Sequence, residues 1–280
     1  MTYGKINKII QSSFVDGPGN RAVVFLQGCN FHCLYCHNPY TINECIHCGI
    51  CVEHCPEKAL VQDDVEVRWI EERCVDCDTC IAVCPHFSSP KIKLMTAEEV
   101  WQVIKPSQQF ISGISVSGGE PSLQVPFLVE FFEIVHSQSE LTTLMETNGF
   151  VEIESVKQLL PDLDLVQVDL KVFDNDLHLA LTGHPVQSVK DAIRFFAETG
   201  KLHAVQQVIV ANYTDSAENM AATAEFLAGI NPMIQLQLVK FRPHGTIGEA
   251  KKWLSPTDET MNSLSSVAKA HGVVNVNVSL

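Results

Sequence analysis

The sequence predicts an α/β fold, a partial and open (β/α)6 barrel that carries a small inserted domain. Six apolar, strand-like segments alternate with segments of helical periodicity, which is typical of a parallel sheet covered by helices. Residues 40–95 interrupt this alternation with a composition rich in Cys, Pro, Asp and Glu. The remaining chain is slightly shorter than the roughly 250 residues of a complete eight-fold barrel. We therefore expect the barrel to occupy residues 1–39 and 96–280, and the insert to occupy residues 40–95.

Each predicted strand is an apolar segment, and the first follows a turn signal at residues 16–19. The strands are Arg21–Gln27, Ile114–Ser117, Leu141–Thr147, Leu165–Leu170, Ala204–Val210 and Ile234–Lys240. The first helix begins at Thr96, because Glu99 completes a capping box three residues later. The predicted helices are Thr96–Ile104, Pro126–Ser137, Ile153–Leu160, Ser188–Thr199, Asp215–Leu227 and Thr257–His271. The polar motifs discussed below follow strand ends, where α/β barrels build their active sites.

The composition excludes several classes of protein. Of 280 residues 46% are hydrophobic, which is enough to bury a sizeable core. The net charge of −14 argues against nucleic acid or an anionic membrane as the main partner. No run reaches the roughly 18 apolar residues of a membrane-spanning helix, and the first ten residues lack the apolar run of a signal peptide. We therefore expect a cytoplasmic protein.

The 11 cysteines all lie between residues 29 and 84. An odd number of cysteines in a chain that we expect to be cytoplasmic indicates metal ligation rather than disulfides. Within the insert, two Cys-x2-Cys-x2-Cys-x3-Cys-Pro runs follow the bacterial ferredoxin pattern, in which the fourth Cys of each run ligates the cluster of the other run. We assign one 4Fe–4S cluster to Cys45, Cys48, Cys51 and Cys84, and a second to Cys55, Cys74, Cys77 and Cys80. A pair of zinc sites is the alternative, since zinc also binds four thiolates.

The remaining three cysteines form a Cys-x3-Cys-x2-Cys loop, Cys29, Cys33 and Cys36, directly after the first predicted strand. Three 4Fe–4S clusters need twelve ligands, and the chain offers eleven cysteines. One iron is therefore left open, and an open iron can bind and activate a substrate.

This loop and its surroundings closely resemble the glycyl-radical-enzyme activating enzymes of the radical S-adenosylmethionine (SAM) superfamily. The similarity runs from Ser12 to Pro39 and continues through the insert, Gly118–Pro121, Glu146–Gly149 and Asp169–Lys171. It implies a partial radical SAM barrel and reductive cleavage of SAM to methionine and a 5′-deoxyadenosyl radical. That radical then abstracts hydrogen from a glycine of a partner glycyl radical enzyme. A two-cluster ferredoxin insert occurs in several such activases and is absent from the smaller pyruvate formate-lyase activators.

By this resemblance, the cluster that SAM chelates is held by Cys29, Cys33 and Cys36, which form the catalytic centre. The residues that it places around SAM are Tyr35, Cys36, His37, Gly118, Gly119, Glu120, Glu146, Asn148, Asp169, Leu170, Lys171 and His244. Within this set Tyr35 lies against the adenine, and the Gly-Gly-Glu segment meets the amino group of SAM. Glu146 and Asn148 lie near the methionyl end, and His244 lies near the ribose.

Lys171 meets the SAM carboxylate in this family. The alternative is an internal ion pair between Asp169 and Lys171, which alternate along one strand and therefore share a side of it. The chain also departs from the family, because Gln206 or Gln207 stands where activases commonly carry an Arg on the fifth strand. A neutral Gln cannot form the charged fork of an Arg.

We hypothesise that the two insert clusters relay electrons from a small carrier, reduced flavodoxin or ferredoxin, to the cluster of Cys29, Cys33 and Cys36. Residues 16–21 form either the rim of a lateral entrance for the partner or a tight turn before the first strand. A radical SAM enzyme that acts on a small molecule is an alternative function, as is a plain iron–sulfur electron carrier. The latter leaves the three-cysteine loop and over 200 residues without a role.

Overall fold

The computed structural model describes residues 2–279 and contains eleven strands and nine α-helices in that range. In chain order the strands are β1 (Tyr3–Ser13), β2 (Arg21–Leu26), β3 (Leu60–Gln62), β4 (Val67–Trp69), β5 (Lys93–Thr96), β6 (Gly113–Gly118), β7 (Thr142–Thr147), β8 (Leu165–Asp169), β9 (Leu202–Ile209), β10 (Gln235–Lys240) and β11 (Val276–Ser279). The helices are α1 (Ile50–Glu53), α2 (Thr79–Ala82), α3 (Ala97–Ile104), α4 (Val125–Gln138), α5 (Ile153–Val156), α6 (Asn175–Thr182), α7 (Gln187–Glu198), α8 (Ala217–Ile230) and α9 (Asp258–Ala270).

Nine of these strands form one open sheet in the order β11-β10-β9-β8-β7-β6-β2-β1-β5. The seven strands from β2 to β11 in this order are parallel, whereas β1 and β5 join one edge in antiparallel pairing. The predicted α/β fold with a mostly parallel sheet is therefore confirmed. All six predicted strands are present, and β11 adds a seventh parallel strand at the far edge.

Outside residues 40–92, four of the described strands and α-helices were not predicted. β1 mixes Lys, Asn and Gln with its apolar residues, β11 alternates Val with Asn and Ser, and β5 is a short edge strand, so none reads as a buried parallel strand. The fourth is α6. The predicted helix Ile153–Leu160 is instead one α-helical turn followed by a 3₁₀ turn at Lys157–Leu159. The predicted capping box before α3 is confirmed, because Thr96 and Glu99 bond each other's main-chain N–H groups.

Helices α3, α4, α7, α8 and α9 cover one face of the sheet and bury the main apolar core against it. The opposite face of the parallel strands is polar near its amino ends. There the Arg21 guanidinium, 1% exposed, donates to Ser115 Oγ at 2.8 Å and to the Thr142 hydroxyl and carbonyl oxygens at 2.9 Å. Gly113 leaves room for this side chain, because a Cβ there would lie 2.3 Å from Arg21 Nη1 and the guanidinium would have to shift. Arg21 thus closes the amino end of the barrel interior.

Residues 40–92 hold the two-stranded sheet of β3 and β4 together with the short helices α1 and α2. We call this part the cysteine lobe. Its small core consists of Cys51, Leu60, Val67 and Cys80. The following strand β5 begins at Lys93, inside the range predicted for the insert, and pairs with β1 of the main sheet. Within residues 2–279, none of the helices is both long enough and apolar enough to cross a membrane.

Candidate active site and cysteine-lined cavities

A cavity of about 240 Å³ lies at the carboxyl ends of the central parallel strands. It unites all three cysteines of the first loop with polar side chains that the sequence places far apart. From the predicted set, its lining holds Cys29, Cys33, Tyr35, Cys36, His37, Gly118, Gly119, Glu146, Asn148, Asp169 and Lys171. Glu120, Leu170 and His244 do not line it. Asp16, from the loop before β2, reaches the same cavity.

Helix α6 holds the cysteine loop in place. The main-chain N–H groups of His32 and Leu34 donate to the carbonyl oxygens of Thr182 and Leu181, at 3.2 and 2.9 Å. These are carbonyls of the last helical turn, which has no internal donors to satisfy them. The helix carries recognisable end signals, since Asp174 caps its amino end and Gly183 follows its last residue with φ +85°. A search for caps rather than apolar periodicity would have found α6.

Burial disfavours the thiolate form of these three cysteines. It raises the pKa of Cys29 and of Cys33 to about 12, and it also raises the pKa of Cys36. A thiolate in such a place needs a positive partner, and iron of a 4Fe–4S cluster supplies one. Lys171 is a nearby cation and lowers the pKa of Cys33, against the larger effect of burial. The donor set therefore fits an iron–sulfur cluster better than a free catalytic thiol.

Glu120 joins two loops instead of facing the cavity. Its carboxylate is fully buried and accepts hydrogen bonds from Thr147 Oγ1 at 2.7 Å, Asn148 N at 2.8 Å and Ser122 N at 3.0 Å. Asn148 in turn donates to Asn30 Oδ1 at 2.7 Å and lies 3.8 Å from Cys29 Sγ. Glu120 is thus connected to the cysteine loop through Asn148.

The two glycines before Glu120 allow the end of β6 to approach the end of β2. A Cβ at Gly118, where φ is +111°, would lie 2.4 Å from Leu26 N. A Cβ at Gly119 would lie 2.1 Å from the carbonyl oxygen of Gly28. The Gly-Gly pair is therefore needed for packing of the protein's own backbone, whatever else it binds.

Asp169 and Lys171 form an ion pair at 2.7 Å beside the cavity, with 25% and 15% of their side chains exposed. The internal pair weighed as an alternative is therefore present in this structure. Gln206 Nε2 donates to Asp169 Oδ1 at 3.0 Å, which puts Gln206 rather than Gln207 on the cavity side of β9. Gln207 is fully buried on the opposite side. The carboxylate of Asp169 is thus held between an ammonium and an amide.

The remaining predicted residues with polar side chains are Glu146, Tyr35, His37 and His244, and each has a different environment. Glu146 accepts a hydrogen bond from Ser117 Oγ at 2.6 Å, and burial raises its pKa to about 8. The hydroxyl of Tyr35 is buried without a hydrogen-bond partner among residues 2–279, a group that a bound ligand could satisfy. His37 Nε2 lies 2.8 Å from the Arg242 carbonyl oxygen, whereas His244 is exposed.

The cysteine lobe contains two further cavities. One is lined by Cys45, Cys48, Cys51 and Cys84, and the other by Cys55, Cys74, Cys77 and Cys80. Each quartet combines three cysteines of one run with the fourth of the other, as the ferredoxin pattern predicts. In the described part of the chain, no three His, Cys, Asp or Glu side chains converge closely enough to hold a single metal ion. The four cysteines of each quartet line a cavity and do not converge on a single point.

Comparison with known proteins places this geometry in a family. The family model of the radical SAM superfamily matches residues 23–227. Among curated proteins, the isethionate sulfite-lyase activating enzyme of Desulfovibrio desulfuricans is 28% identical over 87% of this chain and 84% of its own length. The indoleacetate decarboxylase activating enzyme of Tractidigestivibacter scatoligenes is 28% identical over 92% of both chains. The pyruvate formate-lyase-activating enzyme of Streptococcus mutans is 27% identical over 89% of this chain and 80% of its own.

Solved structures agree on the fold. QueE from Escherichia coli superposes with a TM-score of 0.56 at 14% identity, covering 99% of this chain and 94% of its own. A domain of pyruvate-formate lyase-activating enzyme from Bacteroides vulgatus superposes with a TM-score of 0.53 at 20% identity, covering 60% of this chain and 99% of its own. The family match covers most of the chain, including the cysteine loop and the strands around the central cavity. It shows that this protein is an enzyme of the radical SAM superfamily.

Proposed function

We propose that this enzyme activates a glycyl radical enzyme by using SAM to generate a radical on a glycine of that partner. Its relatives named as activating enzymes for three different partner enzymes support the proposal. The observation that carries it is the single cavity that unites Cys29, Cys33 and Cys36 with the charged residues at the ends of β7 and β8. When bound there, a 4Fe–4S cluster and SAM supply reductive carbon–sulfur cleavage, which yields methionine and a 5′-deoxyadenosyl radical.

The chain's own residues bind and orient the ligands of this reaction. Cys29, Cys33 and Cys36 would hold the cluster and leave an open iron for the amino and carboxylate groups of SAM. Lys171 would pair with that carboxylate, and the acidic side chains of Asp169 and Glu146 would border the cationic methionyl moiety. Because Lys171 pairs with Asp169 in this structure, SAM binding would exchange or share that ion pair.

Other predicted residues shape the site around these ligands. Tyr35 would pack against the adenine, and the exposed His244 would lie near the ribose. His37, Gly118 and Gly119 line the same cavity, and the two glycines would border the amino group of SAM. Glu120 acts through Asn148, which braces the cysteine loop. The open sheet ends at β11 and does not close into a barrel, so a protein segment has a lateral way into the cavity.

We further propose that the cysteine lobe, residues 40–92, is a ferredoxin-type insert with two more 4Fe–4S clusters, which makes three clusters in all. The two cysteine quartets around separate cavities support this assignment. The two clusters would pass electrons from reduced flavodoxin or ferredoxin to the cluster of the first loop. We also propose a cytoplasmic location, where reducing conditions keep eleven cysteines available as ligands.

The activity is tested by anaerobic reconstitution with iron and sulfide, followed by addition of SAM and dithionite. The wild-type protein should form 5′-deoxyadenosine and methionine in equal amounts, and Cys33→Ala should form neither. Cys48→Ala serves as the matched control, because Cys48 lies in the lobe and dithionite can bypass it. Absence of 5′-deoxyadenosine from a protein with full iron content, also in the presence of a partner, would contradict the assignment.

The partner is tested by adding pyruvate formate-lyase or isethionate sulfite-lyase and recording an electron paramagnetic resonance (EPR) spectrum. A glycyl radical that requires SAM would establish activase function. Cleavage of SAM without a radical on any glycyl radical enzyme would favour a small-molecule substrate instead.

The electron relay is tested with a lobe variant. Cys77→Ala should slow turnover with reduced flavodoxin more than with dithionite. Equal losses with both reductants would contradict the relay.

A further inference from the structure

The two cavities of the cysteine lobe differ in the charges that border them. Glu57, Asp78 and Lys91 line the cavity of the second quartet, Cys55, Cys74, Cys77 and Cys80. Within residues 2–279, no Lys, Arg, Asp or Glu lines the cavity of the first quartet. The two cysteine runs have identical spacing, so this asymmetry arises from residues outside the motif. Two clusters in these places would experience different electrostatic fields.

Lys91 is the least exposed of these charged groups. Its side chain is 13% exposed, and its Nζ lies 2.7 Å from Asp78 Oδ1 and 3.2 Å from Asp76 Oδ1. Both aspartates belong to the loop of Cys74 to Cys80, and their side chains are 63% and 83% exposed. Water screens the exposed carboxylates more than the buried ammonium. The field inside the second cavity is therefore more positive than the sum of these formal charges suggests.

The second quartet also faces the barrel. Lys91 and Asp78 border a cleft that contains Tyr40 and residues of β1 on its other side. The Tyr40 hydroxyl donates to Asn38 Oδ1 at 3.4 Å, and Asn38 lines the central cavity. Tyr40 and Asn38 thus lie between this cleft and the central cavity.

We propose that Lys91 raises the reduction potential of the cluster held by the second quartet. This inference rests on the proposed function, because it requires two clusters in the lobe. The carrier gives up one electron, and the second quartet's cluster takes it up and becomes more negative by one charge. A buried cation favours the more negative state. From there the electron would pass to the cluster of Cys29, Cys33 and Cys36.

The test is an anaerobic redox titration of the reconstituted full-length protein, followed by EPR. Lys91→Met should make reduction of one lobe cluster at least tenfold less favourable, a shift of 59 mV to lower potential for one electron. The other lobe cluster should not move. Lys91→Gln, which retains a hydrogen-bond donor, should give the same shift, whereas Lys91→Arg should keep the wild-type potential. Loss of a signal in Cys77→Ala identifies which cluster has moved.

Lys93→Met is the matched control, since Lys93 pairs with Glu71 at 2.5 Å and does not line the second cavity. Wild-type potentials in both neutral variants, or an equal shift in Lys93→Met, would overturn the role of Lys91. Iron and sulfide analysis separates this outcome from failure of the proposed function. A wild-type protein that holds four irons instead of twelve would overturn the lobe clusters and this inference together. Full iron content with unmoved potentials would overturn only the role of Lys91.

Discussion

Replacement of Glu120 by Gln tests whether this carboxylate supports the site or binds SAM directly. The carboxylate accepts from two backbone N–H groups on different oxygens, Ser122 N on Oε1 and Asn148 N on Oε2. A Gln side chain has one oxygen and one NH₂ group, so in either orientation one of these N–H groups faces another donor. A buried donor without an acceptor costs about 1–3 kcal/mol. We therefore expect Glu120→Gln to lower the free energy of unfolding by about 2 kcal/mol.

The expected change in Tm follows from the size of the chain. An unfolding entropy of about 2.1 cal/mol/K per residue amounts to about 0.6 kcal/mol/K for this chain, so 2 kcal/mol lowers Tm by about 3 °C. Thermal unfolding of the reconstituted protein, followed by circular dichroism without SAM, measures this shift. Glu133→Gln is the control, because Glu133 is exposed on α4 and should change stability by less than about 0.5 kcal/mol. An unchanged Tm combined with weaker SAM binding would refute the reasoning and show direct contact with SAM.

Three further predictions concern the central cavity. Burial raises the pKa of Glu146 to about 8, so the folded state keeps a proton that the unfolded chain has lost. Without SAM, the free energy of unfolding should therefore fall as pH rises from about 4.5 to 8. Urea titrations of Glu146→Gln should show a free energy of unfolding that depends less on pH over this range. Gly119→Ala should reduce stability by about 1–3 kcal/mol, measured as a lower urea midpoint, because the new Cβ would clash with the Gly28 carbonyl. Tyr35→Phe should keep or raise Tm without SAM, since the buried hydroxyl has no partner among the described residues; a drop of several degrees would contradict this.

The sequence was sufficient for the six central parallel strands. β2 is buried along nearly its whole length and is an almost continuous apolar run, whereas β10 alternates Gln with buried Leu. Strands β1, β5 and β11 carry polar residues such as Asn, Lys and Ser among their apolar residues, so the sequence did not predict them. β5 and β11 are the two edges of the sheet, where such residues can face water. Helix α6 was not predicted because its apolar periodicity is modest, and its clearest signals are Asp174 and Gly183 at its two ends. It is the element that holds the cysteine loop, so the omission concerned the site itself.

Residue spacing predicted which side chains would be near the site, but not where their polar atoms point. Cys29, Cys33 and Cys36 were found because the motif is local and highly specific. Glu120 follows the correct strand, yet its carboxylate turns toward Thr147 and Asn148, which depends on packing between two loops. The choice between Gln206 and Gln207 needed the register of β9 against β8, where Gln206 lies beside Asp169.

The small core of the cysteine lobe affects how the protein withstands oxygen and proteases. Two of its four buried members, Cys51 and Cys80, are proposed ligands, and only Leu60 and Val67 are purely apolar. So little apolar surface cannot hold a domain of this size together by itself. Metal binding and folding of the lobe are therefore coupled. Air that destroys the clusters would leave the lobe open to proteases while the barrel, with its separate large core, stays folded, and oxygen damage would appear as cleavage within residues 40–92.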